Sequence, residues 1–152
     1  MKKQNYITKN KKAFFDYEII QSWEAGIELK GHEVKSIRQW QINLKGSYLS
    51  FISWELFLKA VHITPWKALP NTTHVDAARE RKVFLKKRTL LYLSWKSKEW
   101  GNSIIPLEVY LQGSLIKIRI ALAKWKKKYQ KKESLKKKSM EKDIRRAMSK
   151  SY

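Results

Sequence analysis

Few side chains in this sequence suit acid–base or metal chemistry. Histidine occurs at 32, 62 and 74, and cysteine is absent. A zinc site or a general base needs groups that converge at a recognisable spacing. The chain has no His-Glu-x-x-His and no histidine pair at i,i+4. No nucleophile, base and orienting group can be assembled from it, so His62 and His74 are assigned to structure or to contact with RNA. A Gly-rich phosphate loop is also missing, which argues against an NTPase. No enzyme activity, cofactor or metal is expected. What the chain does hold in quantity is the chemistry of polyanion binding. It carries 34 Lys+Arg against 13 Asp+Glu, a formal charge of +21, and seven Trp. Lysine and arginine neutralise phosphates, and aromatic faces stack on bases.

In so basic a chain the carboxylates are informative. Residues 23–38, WEAGIELKGHEVKSIR, place Glu24, Glu28 and Glu33 beside Gly26 and Gly31. A carboxylate repels phosphate, yet it accepts hydrogen bonds from base N–H groups or a ribose 2′-OH, which lysine does not. The local alternatives are that Glu24 pairs with a Lys or Arg across strands, and that Glu33 supports the positive N-terminal end of a short helix. Most tryptophans are expected to pack the core, with Trp40, Trp66 and Trp125 exposed beside polar or basic neighbours.

The charge is uneven. Residues 124–152 hold 13 Lys+Arg against three acids, a net +10. This divides the chain into a globular body, residues 1–123, and a basic tail, residues 124–152. Met140, Ile144, Ala147 and Met148 fall at i, i+4, i+7 and i+8, a narrow apolar stripe on a basic helix. Such a helix is marginal alone, because like charges at i,i+4 repel and no core covers the stripe. From Glu133 to Lys150 it would span roughly 27 Å. A membrane-surface helix is the main competitor, and the thin stripe, with no Trp or Phe after Trp125, disfavours it. No stretch approaches 18 apolar residues and the N-terminus lacks an apolar signal core, so a soluble cytoplasmic monomer is expected.

The elements that must position these residues are mostly strands. FFDYEII (14–20) reads as one strand and WEAGIELKG as a second paired to it, with Gly26 as a bend or bulge. EVKSIR has the spacing of a short helix. SYLSFIS and WELFLKAVHI form two strands about a tight turn near Ser53–Trp54, VFLKK a further strand, and RTLLYLSWKSKEWG (88–101) a helix stopped by Gly101. IIPLEVYL and SLIKIRIAL make a hairpin at Gly113–Ser114, with Pro106 at an edge or bulge. The pattern is mainly β. It predicts an OB-like antiparallel β-barrel with flanking short helices and a basic C-terminal tail.

The run NKKAFFDYEIIQSWEAGIELKGHEVKSIR resembles the opening of the bacterial SsrA-binding small protein B family, which binds transfer-messenger RNA. NLKGSY (43–48), HITP (62–65), HVDAARERKVFLKKR (74–88) and IIPLEVYLQGSLIKIRIALAKWKKKYQKKESL (104–135) resemble its later motifs in the same order. The resemblance covers about residues 10–150. It implies a role in trans-translation. The body would hold the tRNA-like domain of transfer-messenger RNA. The tail, disordered when free, would fold into a helix in the empty messenger channel of a stalled ribosome, against small-subunit ribosomal RNA. By position, Asn10, Glu24 and Phe84 match places associated with RNA binding. Glu33, Lys35, Lys124, Lys126 and Lys127 join them as RNA-facing candidates. Tyr129, Lys131, Lys132, Lys136, Lys137, Lys138, Ile144, Arg145 and Met148 are the candidates for the decoding-site tail. The chain departs from the family pattern at Phe84 (Leu is usual), Trp125 (Gly), Gln130 (Asp), Ala77 (Pro) and Ala121 (Gly). The competing expectations are a general RNA-binding or ribosomal OB protein, and a metal-independent nuclease using His62 or His74 with a carboxylate.

Overall fold

The computed structural model describes residues 5–66 and 76–150, the side chains at 128–130, 134 and 150 excepted. In chain order the elements are β1 (Asn5–Lys9), α1 (Lys11–Asp16), β2 (Tyr17–Ile27), α2 (Gly31–Arg38), β3 (Ile42–Asn43), β4 (Tyr48–Ile52), β5 (Glu55–Lys59), β6 (His62–Ile63), β7 (Arg81–Phe84), α3 (Lys87–Lys96), β8 (Asn102–Gln112), β9 (Leu115–Trp125) and α4 (Lys128–Lys150). The main sheet runs β1-β8-β4-β5-β7-β2-β9 and is antiparallel throughout. β9 pairs back onto β8, so the sheet closes into a ring with β1 added outside β8. Closure leaves no open edge among the ring strands. The mainly-β, OB-like expectation stands.

β8 and β9 show why the sequence builds two layers. Successive strand side chains point to opposite faces. Ile118, Ile120 and Leu122 enter the barrel interior with Leu56, Leu58, Val83 and Ile104. The alternate positions Ala121 and Ala123 face outward, with Ile105 and Leu107, and pack under Ala13 and Phe14 of α1. Small alanines at those positions let the helix lie close on the sheet. Pro106 falls at a register shift between Pro106 and Glu108, a bulge that accommodates its missing N–H.

Several local expectations are corrected. FFD belongs to a helix, because Asn10 caps α1 by accepting from the Ala13 N–H. Residues 17–27 form one strand rather than a hairpin. Its long partner is β9, from Tyr17 opposite Trp125 to Gly26 opposite Lys117. Alternation within a segment cannot tell one long strand from two short ones; the partner, some hundred residues away, decides. α3 stops at Lys96, short of Gly101, where the Asn102 side-chain amide donates to the Lys96 carbonyl.

The tryptophan expectation holds for Trp40 and Trp125, which are exposed, and fails for the rest. Trp54, Trp95 and Trp100 are exposed as well, Trp66 is partly buried, and only Trp23, itself partly buried, packs against the core. A six-strand ring has a narrow interior, which Leu, Ile and Val fill at close packing, leaving little room for indoles. The β4–β5 turn is where the sequence suggested. Ser53 and Trp54 both adopt positive φ, 48° and 68°, as a two-residue hairpin turn requires, although neither is Gly or Asn.

Candidate RNA interface

Glu24 and Gly26 are two apart on β2 and share a face, and Gly26 lies opposite Phe84 of β7. Glu24 and Phe84 are both exposed. The Tyr110 hydroxyl donates to Glu24 Oε2, fixing the carboxylate while the side chain stays open to solvent. Tyr110 is fully buried. Burial and the hydrogen bond to Glu24 push its hydroxyl well above the usual tyrosine range, so it remains a donor. Arg119 lies opposite Glu24 in the ladder, but its ion pair, at 3.6 Å, is with Glu108. The cross-strand pairing expected of Glu24 is therefore replaced by a tyrosine. Lys82 stands 5.4 Å from the Phe84 ring centroid, and Lys35, exposed on α2, 6.0 Å from that of Trp66. This face offers an oriented acceptor, an apolar ring and cations, the groups needed to grip a folded RNA at sugar, base and phosphate.

Two expected contact residues are absorbed by the fold. Glu33 is buried, as the local reading had it. Its Oε1 accepts from the Lys30 N–H at 2.9 Å and from Arg79, and its Oε2 from Arg81 Nε at 2.6 Å. Arg81 is wholly buried and donates further to the carbonyls of Val61, Arg79 and Ala77. Burial pushes the Glu33 carboxyl upward. The hydrogen bonds from Arg79, the Lys30 N–H and Arg81, with the Arg81 charge, outweigh it and hold the group below its ordinary value of 4.5. Asn10 is buried as well. Its side-chain amide donates to the carbonyls of Leu44 and Pro106 while its oxygen caps α1. With both ends engaged inside the protein, it latches α1 to the barrel.

β9 carries Lys124 and Trp125 to the rim, two residues beyond the boundary expected at Ala123. The Lys126 N–H donates to the Asp16 carbonyl and its ammonium to the Phe14 carbonyl. Lys131 pairs with Asp16 at 3.3 Å and stacks 3.9 Å over the Trp125 ring. Lys138 lies 5.8 Å from the Phe15 ring. The first turns of α4 thus rest on α1. Farther along, Met140, Ile144 and Met148 are exposed, as is Leu135 nearer the start, and Lys127, just before the helix, and Lys132, Lys136, Lys137 and Arg145 along it face solvent. The side chain of Tyr129 and all of His74 lie outside the described residues.

His32 and His62 stand apart on α2 and β6. No group of three or more His, Asp or Glu among the described residues is placed to hold a metal. No helix among them is long and apolar enough to cross a membrane. Sequence reasoning overlooked Tyr110, Arg79 and Arg81. Extending the VFLKK alternation back two residues puts Arg81 on the face of buried Val83, the one signal that it needed a buried acid.

Comparisons with known proteins agree over both body and tail. The profile of the family described as SmpB protein matches residues 7–150. An SsrA-binding protein of Persephonella marina is 44% identical over 146 residues, 96% of this chain and 93% of the relative. One from Streptococcus mutans is 42% identical over 144 residues, 95% of this chain and 92% of the relative. A solved structure described as "tmRNA-SmpB: a journey to the center of the bacterial ribosome" is 37% identical, covers 80% of this chain and 85% of its own, and superposes with a TM-score of 0.66. A match that spans β1 to α4, at this identity, places the chain in the SmpB family of SsrA-binding proteins.

Proposed function

We propose that this protein is a cytoplasmic RNA-binding adaptor of trans-translation, acting by binding and positioning rather than by catalysis. Its body holds the tRNA-like domain of transfer-messenger RNA through the β2–β7 face. Phe84 supplies an apolar contact, Glu24 an acceptor for a sugar or base donor, and Lys35, Lys124 and Lys127 the phosphate charge. α4 enters the empty messenger channel of a stalled ribosome, where ribosomal RNA neutralises its lysines and covers the stripe. Free of the ribosome, its distal part is a marginal helix that exchanges with disorder, because Lys132 and Lys136, and Lys138 and Lys142, repel at i,i+4. The observation that carries this reading is the continuous likeness to SsrA-binding proteins across body and tail together.

The test is competition between tRNA-like RNA and unrelated folded RNAs of equal length. Preference for the tRNA-like domain is expected, and equal affinity would reduce the protein to a general RNA binder. If the body meets ~6 phosphates, log affinity falls against log salt with a slope of about −4 to −5. A flat response would count against phosphate-driven binding.

Glu24→Lys makes a sharper case. It adds positive charge yet removes a charged acceptor, whose hydrogen bond is worth about 1.5–3 kcal/mol. Binding of the tRNA-like domain should weaken about tenfold or more in a filter or anisotropy titration. Uniformly tighter binding to all RNAs would show that Glu24 merely repels phosphate.

A further inference from the structure

A groove of about 800 Å³ opens between α1, the β4–β5 hairpin, the C-terminal end of α3 and the start of β8. Leu49, Phe51, Ile104 and Ile105 give it an apolar lining. Trp54 and Trp125 also line it and remain 73% and 55% exposed. Trp54 is an unusual choice for its position. At φ 68° it occupies the left-handed region that Gly or Asn fills readily and that a bulky side chain disfavours. Its indole gains little burial in return. Neither the turn nor the core accounts for a tryptophan there, so its use lies outside the fold. Trp125 is held in place by Lys131 over its ring.

The rest of the groove narrows the ligand. Ser50, Ser53 and Ser103 line it and can donate to or accept from the edge of a planar heterocycle. Lys12 and Lys98 line it as well, and Asp16, also present, is paired with Lys131. In a chain of net charge +21 this selects an anionic polymer that carries flat rings. The tail's own stripe is not seated there. α4 departs past Trp125 with Met140, Ile144 and Met148 exposed.

We infer that this groove binds one or two unpaired nucleotides of RNA, their bases stacked on Trp54 and Trp125 and their phosphates on Lys12 and Lys98. Glu24 and Phe84 do not line the groove, although the first residue of β2, Tyr17, does, so the two sites are told apart by their own residues.

The experiment uses the full-length protein and a single-stranded RNA hexamer bearing 4-thiouridine. Trp54→Gly suits the turn's backbone and Trp125→Ala removes an exposed ring, so both variants should melt as cooperatively as the parent. Each is expected to lower hexamer affinity about tenfold. Trp100→Ala, on an almost fully exposed residue outside the groove, should leave it unchanged. Photocrosslinks are expected at Trp54, Trp125 or Tyr48. Parent-like affinity in both groove variants, or crosslinks confined to Phe84 and residues 128–150, would overturn the assignment. Trp54→Gly should keep its preference for the tRNA-like domain, which separates failure of this site from failure of the β2–β7 face.

Discussion

Glu33→Gln is expected to destabilise the protein by about 3–5 kcal/mol, the usual cost of stripping one partner from a buried ion pair. The substitution keeps the shape but leaves Arg81, with no exposed surface, without its counter-charge. It also disturbs the cap at Lys30 and releases Arg79, so the start of α2 and the chain entering β7 loosen together. In urea the midpoint should fall with the slope unchanged. A wild-type midpoint would mean that water or a moved side chain compensates Arg81, and the account would be wrong.

The pH dependence has a definite sign. The folded Glu33 carboxyl titrates below its ordinary value, so its contribution is fully present above about pH 4.5. It is lost as pH falls through the depressed folded value. The stability gap between wild type and Glu33→Gln should therefore be widest near neutrality and shrink in acid. RNA affinity per folded molecule should hardly change, whereas a residue touching RNA would lose affinity without losing stability.

Removing α4, by ending the chain after Lys127, should abolish rescue of stalled ribosomes in a reconstituted translation assay. The same protein should still fold and still bind the tRNA-like domain. The body retains both core clusters and the β2–β7 face. What it loses are the Lys131–Asp16 pair and two cations over Trp125 and Phe15. Asp16 is buried under α4, and removing the helix takes away its cover together with its partner, so the carboxylate regains water and the melting temperature should shift by only a few degrees. Loss of tRNA-like binding by the shortened chain would sink the division of labour between body and tail.

Asn10 and Glu33 show how a resemblance read by position needs the structure. Asn10 matches a place associated with RNA binding and Glu33 was added as an RNA-facing candidate, yet the polar atoms of both are engaged inside the protein. Any effect of Asn10 on RNA affinity would therefore run through the seating of α1 on the barrel. Glu24 sits in the same short stretch as Glu33 and differs only in where β2 and α2 place it. One carboxylate meets two arginines in the interior, and the other meets a tyrosine hydroxyl at an open surface. Residue type and local charge are alike for the two.

The sequence alone determined what depends on composition and short-range period. The absence of cysteine ruled out disulfides and thiolate metal sites, and the charge pointed to polyanionic partners. The i,i+2 alternation of residues 104–122 fixed a hairpin. Val34 and Ile37 fixed a helix, and the run after residue 124 marked a tail, because these patterns are written within one or two turns of chain. Tertiary structure decided everything that needed a distant partner. It made residues 17–27 one strand, since only β9 could show where that strand continues. It turned Trp54 outward, since the ring's narrow interior was already filled by aliphatic side chains. It joined Glu33 to Arg81 across 48 residues and Glu24 to Tyr110 across 86. Hydrogen bonds and ion pairs act over a few ångströms, and only strand order brings such groups within reach.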